Sequence, residues 1–344
     1  MIRKAIALIS GGLDSLLAAK VILDQGVHVE GINFFTGFCV EGHTHAIRKK
    51  AKEKAKKNHA LWVAEQLNIK LHIIDIVEEY KDVLLNPKYG YGANLNPCLD
   101  CKIFMVRKAK EWMEQHNFDF IITGEVMGQR PKSQQKHLMP IVATQSGAED
   151  RLLRPLSAQN LPPTLPERER WIDREKLLNF SGRNRKPQMQ LAERYQFDYA
   201  QPAGGCCFLT NEHYTSKLKD LWQHRGTRDY ELDDVLLLKV GRHIRPNNEF
   251  KLIIGREEGE NNYLEGYCHQ FTSLRMLTHN GPLALIDGDA SAKNIFLASQ
   301  ILGRFSQGRE EQAISVQVTT PGEEPRTIHT HPLLASELQE SWYV

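Results

Sequence analysis

The chain has 344 residues, 44 Lys and Arg against 42 Asp and Glu, a formal net charge of +2 and 41% hydrophobic residues. This length holds two or three domains with cores of their own, and the near balance of charge excludes a polycation, so any nucleic-acid surface must be local. No run of about 18 apolar residues occurs and no signal-type segment opens the chain, which predicts a soluble cytoplasmic protein with no membrane partner.

In chain order, Ala5 to Ser10 predicts a strand, followed by a helix to Gln25, a strand over Val27 to Phe35 and a helix over about Thr44 to Leu67. Leu71 to Val77 predicts a third strand, Leu99 to His116 a helix and Phe120 to Thr123 a fourth strand. That alternation implies an α/β domain with a doubly wound, Rossmann-like parallel sheet, in which ligands bind beyond the carboxyl ends of the strands. Residues 126–200 are less regular and rich in Pro, Arg and Gln; they are expected to form active-site loops and a helical piece around Asp173 to Tyr195. After Gly204-Gly205 the pattern changes to a helix over His213 to Gln223, then strands at Val235 to Val240, Phe250 to Ile254 and Leu283 to Ile286. The expected division is a nucleotide-binding catalytic domain over 1–200, a smaller α+β domain over 205–320 and a polar tail over 321–344.

Ser10-Gly11-Gly12-Leu13-Asp14-Ser15 follows the first strand directly. Two glycines let the backbone turn so that successive N–H groups converge on an anion, and the helix that begins beyond them favours negative charge at its start. The hydroxyls of Ser10 and Ser15 add donors. This predicts a phosphate-gripping turn in an enzyme that consumes ATP; the Gly-Lys-Ser/Thr ending of a Walker A loop is absent.

Six cysteines, arranged as one C-x-x-C, one adjacent pair and two singles, do not make a secreted disulfide framework and point to a reducing compartment. Asn96-Pro97-Cys98-Leu99-Asp100-Cys101-Lys102 sets two thiols at a helix entry, where the dipole favours thiolate. An iron–sulfur site, persulfide chemistry without a cluster, and zinc or unmetallated thiols all suit this spacing. Gly204-Gly205-Cys206-Cys207-Phe208-Leu209-Thr210 supplies a further thiol, with Cys207 taken over Cys206. Cys39 and Cys268 read as small buried apolar residues.

Thr123 to Gln134 follows the fourth strand and contains Gly124, Gly128, Arg130 and Lys132, a loop suited to crossing a nucleotide and to holding departing pyrophosphate. A second basic cluster, Gly182-Arg183-Asn184-Arg185-Lys186-Pro187-Gln188, suits an RNA backbone or the same phosphates. The densest positive run, Arg48 to Lys57, lies on a predicted helix and is either a solvated face or a nucleic-acid contact. His43, His45 and His59 form no metal spacing and receive no role.

SGGLDS, NPCLDCK, TGEVMGQRPKSQ, GRNRKPQ and GGCCFLT, in this order, resemble the PP-loop ATP pyrophosphatases related to tRNA thiouridylases of the MnmA-like and ThiI-like kind. Gly241 to Arg245 and Ile254 to Asn262 resemble an NFACT-type RNA-binding domain. The resemblance implies the adenine nucleotide alpha hydrolase fold and an ATP-dependent sulfurtransferase. It would adenylate a uridine carbonyl oxygen of tRNA, after which sulfur displaces AMP. It further implies that Ser10, Gly11, Gly12, Asp14 and Ser15 bind ATP, with Mg²⁺ bridging the phosphates, while Gly124, Arg130 and Lys132 are what the loop after the fourth strand offers to the same nucleotide. Cys98, Cys101 and Cys207 (or Cys206) would form the sulfur site, as ligands of a [4Fe-4S] cluster, with sulfide or a persulfide carrier as donor and a homodimer as an open assembly state. A PP-loop enzyme that thiolates or amidates a small metabolite, and a non-catalytic RNA-binding protein, are the rival readings.

Overall fold

The computed structural model describes residues 2–39, 58–199 and 207–344. These fall into two compact units, one running to Thr210 and the other from Asn211 to Val344. The division lies a few residues beyond the one expected near 205, where the Asn211 carboxamide oxygen accepts the Tyr214 N–H at 2.9 Å and caps a new helix.

In the first unit the described elements are β1 (Lys4–Leu8), α1 (Leu13–Leu23), β2 (His28–Phe35), α2 (His59–Leu67), β3 (Leu71–Asp75), α3 (Val77–Leu85), α4 (Cys98–Gln115), β4 (Phe120–Ile122), α5 (Met139–Ser146), β5 (Leu152–Leu153) and α6 (Lys186–Arg194). The strands form one sheet in the order β3-β2-β1-β4-β5, with every pairing parallel. Both faces are covered, as the continuous apolar character of β1 requires. Ala5, Ala7 and Ile9 pack with Leu13, Leu17 and Val63 on one side, while Ile6 packs with Ile103, Val106 and Val142 on the other. Strand order reverses at β1, whose neighbours are β2 and β4, so a crevice opens at the carboxyl ends of these central strands.

Several boundaries differ from the sequence expectation for local reasons. The Asn58 carboxamide accepts the N–H groups of Ala60 and Leu61 and starts α2; the expected beginning of that helix, the basic run over 48–57, His43 and His45 lie outside the described residues. Strand β3 ends at Asp75 because its carboxylate accepts the Val77 N–H at 2.9 Å and opens α3, a helix the sequence reading did not contain. The helical piece expected around 173–195 is a short turn over Arg174–Lys176 and then α6, with Pro187 in its first turn.

The second unit contains α7 (Glu212–Arg225), α8 (Leu232–Leu237), β6 (Arg242–Ile244), β7 (Phe250–Ile254), α9 (Glu258–Glu265), β8 (Thr272–Met276), β9 (Leu283–Gly288), α10 (Ala292–Arg304), β10 (Ile314–Thr319) and β11 (Arg326–Thr330). Its sheet runs β11-β10-β8-β9-β7-β6, with all pairings antiparallel. Helix α10 packs Ile295, Ala298 and Leu302 against Leu252, Leu274 and Val316, while Leu237 and Leu264 pack on Ile253 and Leu285. Cys268 lies half-buried beside this second cluster, in keeping with an apolar filler.

Two expectations are corrected here. Val235 to Val240, expected as a strand, begins inside α8: the Asp234 carboxylate accepts the Glu231 N–H at 2.8 Å, a capping box that commits the apolar run to a helix. Residues 321–344, expected as a polar tail, contribute β11, which pairs with β10 from Val318↔Arg326 to Ile314↔Thr330.

Candidate active site

The turn after β1 is built as an open anion cradle. Gly11 has φ 77°, a left-handed conformation that its missing Cβ permits. Gly12 caps α1 in an extended conformation with no side-chain cap, and is itself exposed, so the first N–H groups of α1 face outward with only backbone around them. Ser15 closes the turn from within: its hydroxyl donates to the Gly12 carbonyl at 2.8 Å and accepts the Ser10 N–H at 3.3 Å. Ser10 is exposed at the rim.

Asp14 collects partners that are remote in sequence. Gln129 Nε2 donates to Asp14 Oδ2 at 2.7 Å, the Arg185 guanidinium lies 3.5 Å from the same oxygen, and buried Gln188 fixes Gln129 by donating to its Oε1 at 2.8 Å. Met127 and Ser181 form a parallel bridge, and the Gly182 N–H donates to the Met127 carbonyl at 2.7 Å, so the loop after β4 and the loop before α6 are tied together. Asp14 Oδ1, Arg185 Nε and Gln188 Oε1 are nevertheless buried without a hydrogen-bond partner. Orphaned polar atoms beside an open helix N-terminus fit a nucleotide phosphate with its Mg²⁺: the carboxylate oxygen suits the cation and the guanidinium suits the anion.

Gly124 serves this arrangement by its size. A Cβ there would stand 2.6 Å from the Asp14 carbonyl carbon and the Ser15 nitrogen, so the end of β4 touches the start of α1 backbone to backbone. Beneath it, buried Glu125 accepts from Thr123 Oγ1 at 2.8 Å and Arg154 Nε at 3.2 Å. Burial pushes the Glu125 carboxyl up, but the charges of Arg154 and Lys102 and these hydrogen bonds outweigh it and hold the group below the usual range. Arg130 and Lys132 are exposed on the same loop; the Lys132 stem lies against Gly92.

The thiols stand on the same edge of the sheet. Pro97 opens α4, Cys98 occupies its first position and the Cys98 sulfur lies 3.5 Å from the Ser133 hydroxyl, so one loop reaches Asp14 through Gln129 and Cys98 through Ser133. Cys101 lies a turn further in, with its sulfur 4.0 Å from Met105 Sδ. Its environment reverses the expectation of a thiolate: burial pushes the thiol up to about 12, against the lowering effects of the Tyr80 hydroxyl and Lys102. Cys98 and Cys39 add to the rise, so each lies within electrostatic reach of Cys101. Cys207 pairs with Cys39 in an isolated antiparallel bridge, and Asn94 Nδ2 donates to the Thr210 carbonyl at 2.8 Å, tying the loop before α4 to the Cys207 segment. Cys206 lies outside the described residues. Among the described residues no three His, Cys, Asp or Glu side chains are gathered as a metal site.

Sequence reasoning missed Gln129, Ser133, Gln188 and Cys39 as site neighbours. The first three sit inside motifs already singled out, and Cys39 follows the carboxyl end of β2, where the rule for ligands at parallel strand ends would have found it.

Residues 2–160 match the family model described as thiamine biosynthesis protein (ThiI), and residues 241–343 match the NFACT protein RNA binding domain. The tRNA-specific 2-thiouridylase MnmA of Petrotoga mobilis is 30% identical over 131 residues, 36% of each chain. That of Mycoplasma capricolum is 31% identical over 134 residues, again 36% of each. The aligned stretches thus span about a third of these relatives' length. A crystal structure of a 4-thiouridine synthetase–RNA complex with bound ATP aligns with 61% of this chain and 42% of its own at 18% identity, with a TM-score of 0.38. The glycine turn, the parallel sheet and the two family matches agree: the first unit resembles the PP-loop tRNA thiolases and the second the NFACT RNA-binding domain.

Proposed function

We propose that this chain is an ATP-dependent tRNA sulfurtransferase that makes a thiouridine. The observation that carries the reading is the loop after β4, which meets the nucleotide-side carboxylate Asp14 and the thiol of Cys98 four residues apart, at Gln129 and Ser133. This supports a reading in which activation and sulfur delivery share one edge of one sheet.

In this reading Ser10, Gly11, Gly12 and Ser15 hold the ATP phosphates through backbone N–H groups and hydroxyls, and Gly124 lets β4 close against them. Asp14 would hold Mg²⁺, which when bound would offset phosphate charge. Arg185, with Arg130 and Lys132 on the neighbouring loop, neutralises pyrophosphate as it departs. A uridine carbonyl oxygen attacks the α-phosphate and pyrophosphate leaves; sulfur then adds at the carbon and AMP departs with the oxygen. Esterification is needed because a pyrimidine carbonyl oxygen is otherwise a very poor leaving group. Cys98, Cys101 and Cys207 (or Cys206) supply the sulfur side. Their soft thiols are the residues that would hold a [4Fe-4S] cluster, which would supply iron to bind the sulfur in transit. The second unit would hold the tRNA, and a reducing cytoplasm suits the thiols.

The test is pyrophosphate and AMP release from ATP with tRNA and sulfide, followed by mass spectrometry of the tRNA nucleosides. Release that depends on tRNA, with a new thionucleoside, supports the reading; release that ignores RNA and yields a thiolated or amidated small molecule overturns it. Iron and labile sulfide in anaerobically purified protein, lost in Cys98→Ser and Cys101→Ser, decide the cluster.

A further inference from the structure

Cys39, like Cys268, was expected to carry no chemistry, yet the fold sets it directly against Cys207. The two residues are partners in an antiparallel bridge, and the hydrogen bond beside them runs from the Phe208 N–H to the Phe38 carbonyl at 2.9 Å. That pattern makes Cys39 and Cys207 a pair that does not exchange backbone hydrogen bonds with itself, the register in which opposed Cα atoms approach to about 4.5 Å and side chains stand closest. A disulfide spans about 4.4–6.8 Å between Cα atoms, so this register brings the two sulfurs within bonding range without moving the backbone far.

Both backbones are held. On one side Phe38 is fully buried, its N–H donates to Thr36 Oγ1 at 3.3 Å and its ring packs on Tyr80 at 6.0 Å; Thr36 Oγ1 also lies 3.8 Å from the Cys39 sulfur. On the other side the Cys207 carbonyl accepts both the N–H and the hydroxyl of Thr210, at 3.2 and 2.8 Å. The Cys98 sulfur lies 3.5 Å from the Ser133 hydroxyl and that of Cys101 4.0 Å from Met105 Sδ, with Cys101 also within electrostatic reach of Cys39.

We propose that Cys39 and Cys207 are a reversible disulfide pair, a modification site that removes Cys207 from sulfur chemistry when it closes. With a small-molecule disulfide as oxidant, one thiolate attacks a sulfur of that disulfide and expels the first small thiolate. The second cysteine thiolate then attacks the cysteine sulfur of the mixed disulfide and expels the second small thiolate; two protein thiols are oxidised as one external disulfide is reduced. A dithiol reverses both steps. The bond itself follows from the register alone; its consequence for catalysis rests on the sulfur-transfer reading of Cys207.

The experiment exposes the reduced full-length chain to oxidised glutathione, digests it without reductant and maps linkages by tandem mass spectrometry. The expected result is a dominant peptide joining Cys39 to Cys207, retained in Cys206→Ser and removed by dithiothreitol. In Cys39→Ser, Cys207 should carry glutathione instead. A link from Cys207 to Cys98 or Cys101, or separate glutathione adducts on Cys39 and Cys207 in the unaltered chain, overturns the proposal. Because the readout is a covalent map, it decides the pair even if the chain proves unable to thiolate RNA. Loss of thiolation on closure, restored by dithiothreitol, carries the catalytic consequence, and full thiolation with the bond closed removes it.

Discussion

Gln129 Nε2 donates to Asp14 Oδ2 at 2.7 Å across a sequence separation of 115 residues, which leaves the other carboxylate oxygen of Asp14 buried and without a partner. A carboxylate held by one oxygen and open at the other is oriented for a ligand rather than for the fold. Asp14→Asn is therefore expected to lower pyrophosphate release by roughly a hundredfold or more while the protein still melts cooperatively. Release within a few-fold of the unaltered chain would remove Asp14 from the nucleotide site.

Gly124→Ala tests the contact between the end of β4 and the start of α1. The added methyl would meet the backbone of Asp14 and Ser15 at 2.6 Å, and backbone on both sides has little room to yield. The expected cost is about 1–3 kcal/mol, read as a lower melting temperature together with weaker ATP binding. Unchanged melting would mean that the loop opens freely.

Cys101 should resist alkylation. With its thiol pushed up to about 12 by burial, its thiolate fraction at pH 8 is about a thousandfold below that of an ordinary cysteine. In iron-free protein, iodoacetamide at pH 8 should label Cys101 far more slowly than glutathione, with the rate still climbing above pH 10. Rapid labelling at pH 8 would show the site to be solvated.

Lys217 makes the second unit sensitive to alkaline pH. Burial lowers its ammonium from 10.5 to about 8, with Arg256 and Lys251 adding repulsion. The folded state thus binds fewer protons than the unfolded state between these values, so stability rises as pH climbs from about 8 to 10.5 and is lost as it falls through 8. The difference amounts to about 1–3 kcal/mol. Chemical denaturation of the chain at pH 7 and pH 10 should show this gain, and Lys217→Met should remove most of it.

The parts of the site that were legible in the sequence are those made by neighbours along the chain. Two glycines before an apolar helix announce an anion cradle, because few residues other than glycine tolerate the left-handed backbone that Gly11 adopts. The alternation of short apolar runs with amphipathic stretches likewise announces the parallel sheet. What stayed hidden is contact across the chain: Arg185 reaches Asp14 from 171 residues away, and Cys39 meets Cys207 with no spacing that marks the pair. The Val235 to Val240 run misled because an apolar stretch of that length suits strand and helix equally until Asp234 caps it. Helix α4 misled differently, since its dipole argues for thiolate while its burial wins at Cys101.

The central position of β1 has a consequence for biosynthesis. Its pairing with β2 begins at Lys4↔His28, but its other edge waits for Ala5↔Phe120. At a synthesis rate of about 5–20 residues per second, an interval of about 5 to 20 seconds separates the two closures. Throughout it, the nascent chain presents an apolar strand with one open edge, a ready template for pairing with a neighbour. Production of this protein should therefore be limited by protection of the emerging polypeptide, and slower growth temperatures or holding chaperones should raise the yield more than changes to the finished surface.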